Sequence, residues 1–374
     1  MSESTTPTYS PGLEGVIAGE SAICQVDPNA GLTYRGYDAH DLARLTSFEE
    51  VAWLLLHGEL PTEAESEQIR EELADERELP DQILSMLRLF PEAAHPIDAI
   101  RTGVSALGMF DPEQHDNSPA ANQRKAIRLI AKIATLTTSF WRIRHGEEPY
   151  TPGNHLSYAG RFLFSLTGRE PEPWRTTAFN AILVLYAEHD FNASTFAARV
   201  TASTMSDMYA ALTSALGTLK GPLHGGANED SLHVLEQIGT PDRADAWVAD
   251  RLARHEKISG FGHRVYRTGD SRVPVMRDLA RALAKRFGKE QTVAICEELE
   301  AVMSRRKGLC ANVDLYAAPV FSMLDIPAHL NTPIFACARS AGWCAHVIEQ
   351  HAHNRIIRPR SLYTGPARRP VPAR

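Results

Sequence analysis

Between residues 174 and 190 the chain reads WRTTAFNAILVLYAEHD. Toward the end of this stretch the apolar residues cover most faces of a helix, and the run AILVLYA is far too short to span a membrane. A helix without a polar face has to be enclosed by other elements. This one therefore belongs inside a large, mainly helical core. Helical patterning runs through the chain from about Ala39. In SFEEVAWLLLHGELPT, Ser47 stands as an N-cap with Glu50 completing a capping box, and Val51, Leu54 and Leu55 follow at helical spacing. GELPT breaks that helix, and Thr62 caps the next. ANQRKAIRLIAKIATLTTSFWRIRHG predicts a long amphipathic helix that stops at Gly146. Strand signals are poor. There is no Asn-Gly or Asp-Gly turn and no sustained alternation, and GVIAGESAICQVD is the one stretch that suits short strands. The expected fold class is mainly α.

Glycine and proline cluster at two joints, GTLKGPLHGG (217–226) and LDIPAHLNTP (324–333). They delimit a two-domain helical fold. Residues 1–222 form the first part of a large domain, 223–325 a smaller inserted domain, and 326–374 the C-terminal part of the large domain. The first twelve residues read as a disordered tail with neither the basic nor the apolar region of a signal peptide. A hydrophobic content of 43% supports a sizeable core, and a net charge of -7 argues against nucleic acid or an anionic membrane as partner. The five cysteines are scattered and contain no C-x-x-C pair, so neither a disulfide framework nor a zinc site is expected, and a cytoplasmic location fits best.

Three stretches combine reactive side chains with loop context. GPLHGGANE sets His224 among glycines, SGFGHRVYRTGDSR holds His263 with Arg264, Arg267 and Arg272, and CANVDLYAAP places Asp314 in an apolar setting. Each has a plainer reading. The histidines can belong to turns, the arginines to a solvated face, and Asp314 to a helix cap with Asn312 as its rival. All three lie in or at the ends of the inserted segment. Together they suggest a chemistry. A carboxylate in apolar surroundings is a strengthened base, and a histidine just ahead of a helix near Asn228 stays neutral and donates to an enolate oxygen. Those are parts for abstracting a proton α to a carbonyl and attacking a second carbonyl. H-E-x-x-H, G-x-S-x-G and G-x-G-x-x-G are all absent, so no metal, serine-hydrolase or dinucleotide site is signalled.

Taken in order, GLEGVIAGESAI, LTYRGYDAHDLA, VAWLLLHGELPT, GPLHGGANE, GFGHRVYR with DSR, NVD, RSAGWCAHVIEQ and RIIRPRSLYTGP resemble the citrate synthase family over nearly the whole chain. The resemblance implies a homodimeric acyltransferase that condenses acetyl-CoA with oxaloacetate to citrate and CoA through an enol, with no permanently bound cofactor. It implies Asp314 as base, His224 as donor to the enol and His263 as donor to the oxaloacetate carbonyl. It also implies that His189, Arg272, Arg339 and Arg358 hold oxaloacetate, the last across the dimer, and that Arg267 and Lys307 lie near the CoA phosphates. The glycines beside His224 would then let the acyl thioester approach the backbone. Two alternatives stay open: 2-methylcitrate synthase, using propionyl-CoA on the same residues, and a catalytically silent helical scaffold or binding protein. The family's usual DPR is here DSR, with Ser271, and NVD continues as LYAAP, which suggests Pro319 in a first helical turn.

Overall fold

The computed structural model describes residues 9–28, 30–225, 227–262 and 269–372, with the side chains of 227–229 left out. The tail expected at 1–12 thus falls mostly outside the described residues. The chain opens with three short antiparallel strands, β1 (Cys24–Asp27), β2 (Gly31–Tyr34) and β3 (Tyr37–Asp38), in the order β1-β2-β3. β1 lies in the one stretch that suited strands. All other regular structure among the described residues is helical.

The first helices are α1 (Ala39–Leu45), α2 (Phe48–His57), α3 (Glu63–Asp75), α4 (Asp81–Arg88) and α5 (Pro96–Gly108). Their starts follow from side-chain chemistry. Ser47 with Glu50 and Thr62 with Glu65 both form complete capping boxes, which satisfies the first free amides of α2 and α3. Next come α6 (Pro119–Arg144), α7 (Tyr158–Thr167), α8 (Pro173–Tyr186), α9 (Ala193–Ala202) and α10 (Met208–Leu219). The long helix α6 ends one residue before His145, and Gly146 follows at φ +73°, the left-handed turn that glycine makes without strain.

Helix α8 stops at Tyr186, so 187–190 of the apolar stretch are a loop, and Asp190 sits at φ +53°. Tyr34 of β2 closes this end: its hydroxyl lies 3.0 Å from the carbonyl of Val184, 3.2 Å from that of Leu185 and 3.1 Å from that of Glu188. Five more helices pack largely on one another: α11 (Ala227–Ile238), α12 (Ala244–Ala253), α13 (Val273–Phe287), α14 (Glu290–Lys307) and α15 (Val313–Met323). Pro319 lies in the interior of α15, not in its first turn, because Asn312 already starts that helix at Val313. A proline there leaves the Leu315 carbonyl without its helical donor. The Cys296 thiol, 3.6 Å away, points to that oxygen.

The last helix, α16 (Asn331–Ala352), is buried without interruption from Asn331 to Val347 and packs on α2, α6, α8, α9 and α10. It is the axis of the larger group of helices. Beyond His353 the chain has no regular structure as far as residue 372 and is exposed except at the half-buried Ile357.

Candidate active site

Four chain segments meet where α11–α15 face the larger group. The first is the loop after α8. His189 is buried, and its backbone N–H donates to the Glu188 carboxylate at 2.7 Å. Glu188 lies 3.2 Å from His346 of α16, both fully buried. This loop lies so close to α16 that a Cβ on Gly342 would come within 2.0 Å of Glu188 Oε2 and 2.5 Å of the Ala187 carbonyl. Only glycine fits that contact. Three residues earlier on α16, the buried Arg339 donates from Nε to the Tyr186 carbonyl at 2.7 Å and stacks over Phe335. Arg339 and the His189 loop are thereby fastened together.

His224 forms the second segment, between α10 and α11. Its Nε2 lies 2.9 Å from Ser194 Oγ, which also accepts from Trp343 Nε1 at 3.2 Å and can donate to Asn192 Oδ1 at 2.8 Å. The Ser194 hydroxyl proton can therefore serve either Asn192 or His224, and that choice sets the imidazole tautomer. Burial, reinforced by the positive charge of Arg339, lowers the His224 pKa to about 4. The ring is neutral as expected, and desolvation and the charge of Arg339 both act to keep it so. Gly225 is required by the protein's own packing, since a Cβ there would meet Leu219 at 2.6 Å. Gly226 lies outside the described residues.

The third and fourth segments zip together. Asn312 N–H donates to the Gly260 carbonyl at 2.9 Å, Gly262 N–H to the Cys310 carbonyl at 3.0 Å, and Asn312 Nδ2 to the Gly262 carbonyl at 3.2 Å. Gly260 holds φ +90° with its Cα against Leu315, a place for no side chain. The run into His263 is thus paired with the run into Asp314; His263 and Arg267 themselves lie outside the described residues. Asn312 is the cap of α15, accepting from the Asp314 amide at 3.1 Å, which frees the Asp314 carboxyl for other contacts. Burial pushes that carboxyl up to about 6 against the pull of Arg272. The charge of Asp270 adds to the rise, while a hydrogen bond from Tyr186 and the charge of Arg339 lower it. Arg272 is buried and forked onto Asp270, with Nε to Oδ1 at 3.0 Å and Nη2 to Oδ2 at 2.8 Å.

His189, His224, Arg272, Arg339 and Asp314 are linked through charge: Arg339 acts on both His224 and Asp314, Arg272 acts on Asp314, and His189 and Arg272 act on Asp270. Two expected residues do not join them. Lys307 is exposed at the end of α14, and Arg358 is exposed on the C-terminal extension. That extension is pinned where Ile357 N–H donates to Ser203 Oγ at 3.0 Å. Ser203 follows the far end of α9, about 15 Å of helix from the His189 loop. Ser194, Trp343, Tyr186 and Asp270 were not singled out from the sequence. Trp343 stands four residues after Arg339 on the same helical face, and Asp270 two before Arg272, so spacing was the available signal. An ionisable base, a neutral imidazole and two buried guanidiniums in one cleft suit proton abstraction beside a carbonyl on an anionic substrate.

Residues 12–360 match the family model described as citrate synthase, C-terminal domain. A citrate synthase of Synechocystis sp. is 45% identical over 96% of this chain and 91% of its own length. A citrate/2-methylcitrate synthase of Bacillus subtilis is 46% identical over 96% of this chain and 97% of its own. The solved ternary complex of carboxymethyl coenzyme A and oxaloacetate with citrate synthase from Thermoplasma acidophilum superposes with a TM-score of 0.92 at 32% identity, covering 98% of each chain. With a matching family model along almost its full length, this chain belongs to the citrate synthase family.

Proposed function

We propose that the chain condenses acetyl-CoA with oxaloacetate and water to citrate and CoA. The observation that carries this reading is Asp314, a carboxyl that burial raises to about 6 against the charges of Arg272 and Arg339, with a neutral His224 that Arg339 also reaches. Asp314 takes a proton from the acyl methyl group. His224 donates from Nδ1 to the thioester oxygen as the enol forms, which requires the Ser194 hydroxyl to donate to Nε2. The enol carbon attacks the oxaloacetate carbonyl, to which His263 donates, and water then releases CoA from the citryl thioester. His189, Arg272 and Arg339 hold oxaloacetate, whose two carboxylates suit planar guanidinium forks. Arg358 completes that site from the second protomer of a homodimer. Its place at the far end of α9 supports a role outside its own chain's cleft. Arg267 and Lys307 face the CoA phosphates.

Residues 223–325 form a small domain that closes on the remainder. The mutual packing of α11–α15 supports that division. Among the described residues no helix is long and apolar enough to cross a membrane. No disulfide joins the five cysteines, which supports a reducing cytoplasm. A second reading, propionyl-CoA as acyl donor, is favoured by the Bacillus subtilis relative, whose name carries both activities at 46% identity. One methyl group is worth only about 1–3 kcal/mol of discrimination. CoA release measured with oxaloacetate and each acyl-CoA in turn separates the two. No release with either would return the chain to a binding role.

A further inference from the structure

One buried carboxylate beside the cleft has no part in the chemistry just outlined. The Asp270 side chain is 0% exposed, yet it carries four hydrogen bonds. Oδ1 accepts from the backbone N–H and from Nε of Arg272, each at 3.0 Å. Oδ2 accepts from Arg272 Nη2 at 2.8 Å and from the Val313 N–H at 3.1 Å. Three of these come from the residue that grips oxaloacetate, and the fourth from the residue directly before the base. The first turns of α13 and α15 therefore share a single anchor. A buried charge is costly unless it is paired and fully hydrogen-bonded, and this one is.

We propose that Asp270 is a positioning residue of the condensation. By holding the Nε–Nη2 edge of Arg272 and the amide of Val313, it turns the Nη1 side of the guanidinium toward the substrate carboxylate and keeps that side in register with Asp314. The inference rests on the reading of Arg272 as a grip for oxaloacetate. It differs in sign from a plain charge effect. A carboxylate beside Arg272 cancels positive charge, so if charge alone mattered, removing it would tighten the binding of a dianion. If aim matters, removing it loosens that binding. A second consequence is electrostatic. Asp314 is faced by Asp270 and Arg272 from the α13 side, by Tyr186 of α8 and by Arg339 of α16. Losing the negative member of that set stabilises ionised Asp314.

The test uses the full-length enzyme with the acyl-CoA that it turns over, and three variants: Asp270→Asn, Asp270→Glu and Arg272→Lys. Asp270→Asn is expected to raise the oxaloacetate KM roughly ten- to hundredfold, the cost of a misaimed group, with a smaller change in kcat. It is also expected to shift the acid limb of the kcat–pH profile to lower pH. An oxaloacetate KM that is unchanged or lower overturns the proposal, as does a fall in melting temperature with KM and acid limb both unmoved. If Asp270→Asn shows no cooperative melting, Asp270→Glu decides, since it keeps the charge and moves it by one methylene. A raised KM with the acid limb in place supports the proposal; a wild-type KM overturns it. Arg272→Lys separates the two levels of the argument. A wild-type KM there removes the grip itself, whereas a raised KM beside normal Asp270 variants removes only the role of Asp270.

Discussion

At the residue scale, the cleft is governed by two groups moved from their usual protonation ranges. As the proposed base, Asp314 would act only when ionised, and burial raises its pKa to about 6. Activity should therefore be fully present above that pH and be lost as pH falls through about 6. A kcat–pH profile whose acid limb instead sits near 4, where an exposed carboxyl titrates, would contradict the assignment. His224 is neutral down to about 4, so it adds no limb of its own between pH 5 and 8. Asp314→Asn should lower kcat by about 10²–10⁴-fold, the worth of a positioned base, while leaving oxaloacetate binding nearly intact. Retention of more than a tenth of wild-type kcat would refute it. His224→Gln should lower kcat with little effect on the oxaloacetate KM, because its contacts are to Ser194 and Phe335 and not to the arginines' forks. A large rise in that KM would mean that the ring touches oxaloacetate rather than the acyl group.

At the element scale, α16 carries the site. It is buried over most of its length, and it presents Arg339, Trp343 and His346 at intervals of three and four residues to α8, α9 and the loop between them. Gly342 lets that loop touch the helix backbone. A methyl group there has nowhere to go, since the Ala187 carbonyl is backbone and Glu188 is fully buried. Gly342→Ala should destabilise the fold by about 1–3 kcal/mol through overpacking, and in the folded fraction raise the oxaloacetate KM by shifting His189. Thermal melting and kinetics together check this. An unaltered melting temperature would show that the loop can move away freely. Helix α15 illustrates a different compromise. Pro319 interrupts its hydrogen bonds, yet the helix persists because the thiol of Cys296 covers the Leu315 carbonyl left without a helical donor and nearly every side chain around it is buried.

At the scale of the whole molecule, the described residues of α11–α15 and the turns beside them meet the larger group through polar and aromatic contacts at the surface, among them Arg175 of α8 with the Leu324 carbonyl at 2.9 Å and with Asp325 at 2.7 Å. Arg44 of α1 lies 3.7 Å from Asp278 of α13, His40 meets the Ser271 carbonyl, and Trp174 at the start of α8 packs on Phe287 and Arg286. Exposed ion pairs of this kind are worth little, so oxaloacetate bridging Arg339 and Arg272 should itself drive compaction. Identical scattering profiles with and without oxaloacetate would end that expectation. The exposed extension with Arg358 bears on assembly. If Arg358 acts across a dimer, mixing Arg358→Ala with Asp314→Asn, each inactive alone, should restore about a quarter of wild-type activity, because half of randomly paired dimers are mixed and each carries one intact site. No recovery on subunit exchange would place Arg358 in its own chain's cleft. The amino-acid sequence by itself determined the helical class, the capping boxes at Ser47 and Thr62 and the residues of the cleft that resemble a known family, because periodicity, caps and motifs are local in the chain. It did not determine the end of α8, which Tyr34 closes from a distant strand, nor the place of Pro319, nor the burial and the Arg339 charge that act on His224. Those depend on groups far apart in sequence that meet only in the packed molecule. Arg339 lowers the pKa of His224 from 115 residues away in the chain, and Asp270 joins Arg272 to Val313 only because α13 and α15 lie side by side. Burial and charge act through space, and only the tertiary structure decides which groups share it.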